Sequence, residues 1–284
     1  MHTFATPEPI SVALDLEVGE VRVRAVDSAE TTVEVRPANA ARDADVRFAE
    51  EARVDFTGGQ LTVRGPRSRE MSPLGHWFGR GGAIDVVITV PAGSRVNARG
   101  LAEFHCEGRL GDCRITSGTG GVHVDRADGL RVRTDDGDVS VNAVAGPVEV
   151  FTAHGEIRVG SAGGPVSLKT DHGDIALGAV SGDARLVTAH GDITVDSADT
   201  DVTARTSSGR VRVASVASGT ADLETGDGDI EVGVAKGTAA WLDVSSEYGH
   251  VRSDLDPAGT PDGDEAVVRV RARTQHGDAV IRHA

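Results

Sequence analysis

One ten-residue phrase recurs along the C-terminal two thirds of the chain at a nearly constant interval. An alternating apolar strand ends in Thr, two turn residues follow, then Gly, an often acidic residue, and a second alternating strand. Copies run Leu130–Val139 (LRVRTDDGDV), Val148–Ile157 (VEVFTAHGEI), Val166–Ile175 (VSLKTDHGDI), Ala184–Ile193 (ARLVTAHGDI), Val202–Val211 (VTARTSSGRV) and Ala221–Ile230 (ADLETGDGDI). The turn glycines Gly137, Gly155, Gly173, Gly191, Gly209 and Gly228 follow one another at intervals of 18, 18, 18, 18 and 19 residues. A degenerate copy passes through Ser117–Val122, and two looser copies, through Tyr248–Val251 and Thr274–Asp278, end the array. A fixed period of this kind marks a repeat architecture in which each unit is one small structural element.

The chemistry of one unit says what that element is. Alternation of period two puts Val166, Leu168 and Thr170 on one face and Ser167 and Lys169 on the other; after the turn, Ile175 and Leu177 return to the first face. Gly173 supplies the positive φ that a tight turn needs, and Thr170 can bury its methyl while its hydroxyl bonds turn backbone. One unit buries too few aliphatics to fold alone, so neighbours must close its backbone hydrogen bonds along both edges. The expected fold is all-β, a single-stranded β-solenoid (β-helix) of about 18-residue coils, with equivalent residues about 4.8 Å apart on adjacent coils. A β-sandwich of hairpins would vary its loop lengths instead of repeating one turn at one period.

Residues 1–110 are rich in alternating strands but lack the period. Val12–Leu16, Glu20–Arg24, Thr32–Arg36, Arg53–Phe56, Gln60–Arg64 and Ile84–Val90 read as strands, and Val18–Val21 and Phe56–Leu61 as turn segments between strands. The expected division is a strand-rich region, 1–110, that starts and caps the stack, followed by the solenoid array, 111–284. Helix is expected only as a turn or so around Ala38–Asp45.

The interior is expected to be thin, because the chain has only six Phe, two Trp and one Tyr, and aromatics usually supply the bulk of a thick core. The net charge of -15 argues against nucleic acid and anionic membranes as partners, since both reward basic patches. No apolar run is long enough to span a membrane. The first residues show neither the basic nor the apolar region of a secretory signal, which gives a cytoplasmic expectation. Cys106 shares strand parity with Phe104, and Cys113 with Ile115, so both thiols are expected to point inward as small hydrophobes.

The phrase Val90–Ser94 (VPAGS) leads into the repeats, and Gly237–Ser246 (GTAAWLDVSS) and Arg271–Asp278 (RARTQHGD) close them. Together they resemble a bacterial family of β-strand-repeat proteins of unknown function, often labelled adhesins, in its actinobacterial form. The resemblance covers about residues 10–284. It implies a β-helical fold and brings no activity, cofactor or site residue.

Two surfaces stand out as candidate sites. The residue before the turn Gly is His154, His172 and His190 in three successive units, and the residue after it is Glu156, Asp174 and Asp192. Stacked imidazoles flanked by carboxylates are a candidate site for a divalent metal such as Zn²⁺, against the alternative that turn positions simply stack small polar residues. The second surface is the loop Gly65–Gly82, where His76, Trp77 and Phe78 form either a contact for a partner or ligand or a plug for the solenoid end. No Ser-His-Asp order, P-loop or Rossmann fingerprint is present. The expected function is a non-enzymatic scaffold or interaction (adhesin-like) protein with a protein partner, a monomer or small homo-oligomer with capped ends and no resident cofactor. The alternatives are a metal-binding protein using the His/Asp column, a self-assembling filament and, last, a polysaccharide-active enzyme.

Overall fold

The computed structural model describes residues 1–66, 82–255 and 267–284, which fall into two compact units, Met1–Gly137 and Asp138–Ala284. The fold is a β-solenoid, with parallel strand-on-strand stacking as its dominant pairing.

The first unit contains β1 (His2–Ala5), β2 (Ser11–Val26), β3 (Glu30–Pro37), α1 (Asp43–Glu51), β4 (Arg53–Thr57), β5 (Gln60–Arg64), β6 (Ile84–Pro91), β7 (Arg95–Thr119) and β8 (Val122–Asp136). Strand β7 lies parallel on β8, and β2 lies parallel on β7. The other edge of β2 takes β5 and β6, also parallel. Antiparallel strands follow: β4 on β5, β3 on β6 and β1 on β3. The Phe56–Leu61 turn appears as expected, with Gly58 and Gly59 both at positive φ. Val18–Val21, by contrast, is not a turn between strands, because β2 runs through it unbroken. Gly19 is a corner inside that strand, where φ is +147° and an added Cβ would meet the Ile84 carbonyl oxygen at 1.7 Å.

Helix α1 begins five residues later than the Ala38 expected and runs on to Glu51. The reason is tertiary. The buried Asp45 carboxylate accepts from the backbone N–H groups of Asn39 (3.2 Å) and Ala83 (3.0 Å), so residues 39–42 are held in a separate turn, closed by the bond from the Arg42 N–H to the Asn39 carbonyl, ahead of the helix. Phe104, Cys106, Cys113 and Ile115 are all buried, as their parity requires.

The second unit is built of coils, each with two legs joined at a corner. It opens with β9 (Val139–Val144). Then come β10 (Val148–His154) with β11 (Ile157–Ala162), β12 (Val166–His172) with β13 (Ile175–Val180), and β14 (Ala184–His190) with β15 (Ile193–Ala198). They are followed by β16 (Val202–Ser208) with β17 (Val211–Val216), β18 (Gly219–Asp227) with β19 (Ile230–Val234), β20 (Ala239–Tyr248) with β21 (Val251–Ser253), and β22 (Val267–His276) with β23 (Ala279–His283). First legs pair in the register Val148, Val166, Ala184, Val202, Ala221. Second legs pair as Val139, Ile157, Ile175, Ile193, Val211, Ile230. These residues point inward and are buried, together with Leu168, Leu177 and Leu186, so burial of this apolar column drives the stacking.

The corner glycine is required by crowding as well as by its φ. At Gly173 φ is +144°, and an added Cβ would stand 2.1 Å from the carbonyl oxygen of Gly155 one coil below. Stacked corners at that distance leave no room for a side chain.

The last two coils do not stack in chain order, which corrects the expectation that successive copies lie on adjacent turns. Strand β18 pairs with β22, β19 with β23, and only then do β20 and β21 pair on the outside of β22 and β23. The final coil is thus inserted between the two that precede it. Its inward residues Val268, Val270, Ala272, Ala279 and Ile281 are fully buried, whereas in the displaced coil the equivalent Leu242 and Val244 are half-buried and Val251 is exposed. The inner place suits the final coil because Ile281 stands where the displaced coil has Ser253, and burying Ile gains more than burying Ser.

Candidate functional site

The histidine column forms as the period requires. His154, His172 and His190 are register partners at the exposed ends of β10, β12 and β14, one residue before each corner glycine. Their rings stack nearly parallel, with centroids 5.2 and 5.0 Å apart and interplanar angles of 7° and 8°. The column continues through Ser208 and Asp227 and then, because of the inserted coil, His276 before Tyr248. His276 Nδ1 lies 3.1 Å from an Asp227 carboxylate oxygen, and the Tyr248 ring stacks on His276 at 5.0 Å.

This geometry bears directly on metal chemistry. Imidazole lone pairs lie in the ring plane, so parallel rings about 5 Å apart hold equivalent nitrogens further apart than the roughly 4.2 Å that two Zn–N bonds can span. One ion shared by neighbouring rings would require the rings to turn toward each other. Among the described residues no three His, Cys, Asp or Glu side chains converge to hold a metal ion.

The acidic column has a second role that the sequence did not reveal. Asp138 Oδ1 accepts the backbone N–H of Glu156 at 2.8 Å, Asp174 that of Asp192 at 2.8 Å, and Asp192 that of Arg210 at 2.7 Å. The same bond joins Asp229 to the N–H of Asp278 (2.9 Å), and Asp278 to that of His250 (2.9 Å). Each carboxylate therefore satisfies a corner amide on the next coil. The backbone bond from His250, followed by the nearby His250 and Arg252 charges, holds the Asp278 carboxyl below its ordinary range. Glu156, one methylene longer, folds back to Arg158 at 2.7 Å. The clue to this role lies in the repeat: the position after the glycine holds Asp, the shorter acid, in most units.

The buried threonines form a matching column. The hydroxyls of Thr170, Thr188, Thr206 and Thr225 donate to the carbonyls of Gly155, Gly173, Gly191 and Gly209 on the coil below, at 3.2, 3.1, 3.1 and 2.8 Å. Thr274 does the same to Gly228 at 2.9 Å, and Ser246 to Gly277 at 2.8 Å.

A feature missed by sequence reasoning is a polar groove of about 680 Å³ on the outer face, lined by Arg205, Ser207, Glu224, Gly226, Arg273 and Gln275. Small side chains at Ser207 and Gly226 leave the trough, and the longer ones flank it. Arg205 pairs with Glu224 (3.4 Å) and Asp222 (3.3 Å). Arg273 reaches this groove only because its coil is inserted out of chain order, which a strictly sequential stack conceals.

Cys106 and Cys113 are free and buried. Burial, with the other thiol nearby, pushes the Cys106 thiol well above its ordinary range. Burial first, then the Asp112 charge, pushes Cys113 up to about 12. His76, Trp77 and Phe78 lie outside the described residues.

A family model described as Toastrack DUF4097 matches residues 11–282. No curated protein matches the sequence. Among solved structures the chain is similar to a candidate adhesin from Bacteroides fragilis, at 12% identity and a TM-score of 0.36, covering 100% of this chain and 95% of that one. It is similar also to a candidate lipid-binding protein from Parabacteroides distasonis, at 11% identity and a TM-score of 0.36, covering 98% and 95%. A candidate cell adhesion protein from Clostridium sporogenes aligns at 9% identity and a TM-score of 0.24, covering 100% and 98%.

Proposed function

The chain belongs to the Toastrack DUF4097 family, and from that premise we propose that it is a non-enzymatic, adhesin-like scaffold that holds columns of side chains rigidly for a protein partner. The observation that carries this reading is the use made of the repeated polar residues. The Thr and Asp of successive units direct their oxygens to the backbone of an adjacent coil, which stiffens the stack. What the repeat then presents outward is the ladder of stacked His154, His172 and His190 rings, a flat surface whose shape is set by the period. Such preorganised surfaces lose little conformational freedom on binding.

The test compares the wild-type chain with a variant carrying His154→Ala, His172→Ala and His190→Ala, after circular dichroism has shown both to be folded. Each is crosslinked in an extract of the source cell, and the partners are identified and their crosslinks mapped. A partner crosslinked beside the His ladder and lost in the variant supports the reading. Identical recovery with both chains, or turnover of an acidic polysaccharide by the wild type, would count against it.

A further inference from the structure

The coil displaced to the outside of the second unit ends the described stack, and among the described residues no strand pairs along its outward edge. Among the described residues β20 pairs only with β22, and β21 only with β23. An open edge carries unpaired backbone N–H and C=O groups, and native chains usually blunt it with Pro, Lys or a bulge. Ala239–Tyr248 contains neither Pro nor Lys. Instead it exposes Trp241, with Arg269 stacked over its ring at 5.9 Å, and Tyr248. Leu242 and Val244 are half-buried where Val270 and Ala272, one coil in, are fully covered.

We propose that this edge pairs with the same edge of a second copy of the chain, giving a closed two-fold dimer. Two observations favour a second copy. The apolar inward residues need partners at period two, which the same strand supplies. The other is charge: Ala239–Ser253 holds two acids, Asp243 and Glu247, and one base, Arg252. A near-neutral patch on a chain of net charge -15 is where two copies repel least.

Charge also selects the register. A two-fold axis makes the paired strands antiparallel, and inward residues must oppose inward ones. Centring the pair on Val244 sets Asp243 opposite Ser245 and Glu247 opposite Trp241. A shift of one residue either way sets carboxylate against carboxylate, which is destabilising. Because the contact is isologous it closes on itself, so the assembly stops at two. The inference goes beyond the scaffold reading and does not depend on it.

Sedimentation equilibrium on the full chain tests the proposal. The expected result is a reversible equilibrium between the 29.4 kDa monomer and a species of twice that mass, shifted toward dimer by added salt, because salt screens the repulsion of the two acidic bodies. Under oxidation Val244→Cys, on the axis, should form a covalent dimer, and Ser207→Cys, on an inner coil, should not. Leu242→Lys, and separately Trp241→Glu, which sets an acid opposite Glu247 at a position already exposed in the monomer, should remove the dimer without changing the circular dichroism spectrum. Monomer alone at every concentration and salt would overturn the proposal. So would an open-ended series of larger species, or a dimer that survives both charged variants.

Discussion

The hydroxyl of Thr170 donates to the carbonyl of Gly155, one coil below and fifteen residues earlier in the chain, at 3.2 Å. The Thr-x-x-Gly phrase therefore joins two coils as well as shaping one: Thr170, Thr188, Thr206, Thr225 and Thr274 each donate to the corner of the coil beneath, and Thr134 and Thr152 also bond carbonyls of their own turns, at Asp136 and His154. Replacing the buried Thr188 by Val keeps shape but leaves the Gly173 carbonyl without its 3.1 Å donor in a partly buried corner. The expected cost is about 1–3 kcal/mol, read as a lower urea midpoint. Thr188→Ser keeps the donor and should lose only about 0.8 kcal/mol for the methyl group. Equal stability of the Val variant and wild type would remove the hydroxyl from the account.

Gly191→Ala should be far more damaging than any surface change. The new Cβ would lie 2.1 Å from the Gly173 carbonyl oxygen at a φ of +148°. Two coils must separate to admit it, so soluble folded protein should be lost or its melting temperature sharply lowered. Gly237→Ala is the control, since an added Cβ there meets nothing within 4 Å and only its φ of +79° is unfavourable.

Asp174→Ala removes the acceptor of the Asp192 backbone N–H and should cost about 0.5–1.5 kcal/mol, the net worth of an exposed hydrogen bond. Asp174→Asn retains an acceptor oxygen and should recover most of the loss. If the carboxylate acted only as a solvated charge, Ala and Asn would behave alike.

The two thiols make stability fall at alkaline pH. Folding raises both pKa values, Cys113 from 9.0 to about 12, so the unfolded chain releases its thiol protons first. The contribution is fully present below pH 9.0 and declines as pH rises from there toward the folded value. A Cys106→Ala/Cys113→Ala chain should therefore lose less stability than wild type over that window. Alkylation of the wild type at neutral pH should need unfolding, and rapid labelling of the native protein would contradict the buried placement.

The coils were legible in the sequence because each unit states its own geometry. Alternation assigns Val166 and Leu168 inward and Ser167 and Lys169 outward, and Gly173 marks the corner. The ring ladder His154–His172–His190 followed from the interval alone. What could not be read was set by competition between units. Nothing local in Val267–His276 says that it displaces Ala239–Tyr248 from the stack; that depends on which coil buries more apolar surface against β18 and β19. The groove beside Arg205 was hidden for the same reason, since Arg273 arrives there only through the insertion. Val18–Val21 carried an ordinary turn signal, but neighbours on both edges of β2 keep that segment within one continuous strand that turns a corner at Gly19. At Asp45 a buried carboxylate moved the helix start, again a tertiary effect on a local preference.

The central claim is that coils stack in parallel at one-period register, with the final coil inserted beneath the one before it. Engineered disulfides on the outer face test it most directly. Thr203, Asp222, Arg271 and Asp243 follow one another as register partners. Under mild oxidation, chains carrying cysteine at 203 and 222, or at 222 and 271, are expected to crosslink within one molecule, while the pair 222 and 243 stays reduced because a coil lies between. Ready closure of 222 to 243, with 222 and 271 left open, would contradict the account.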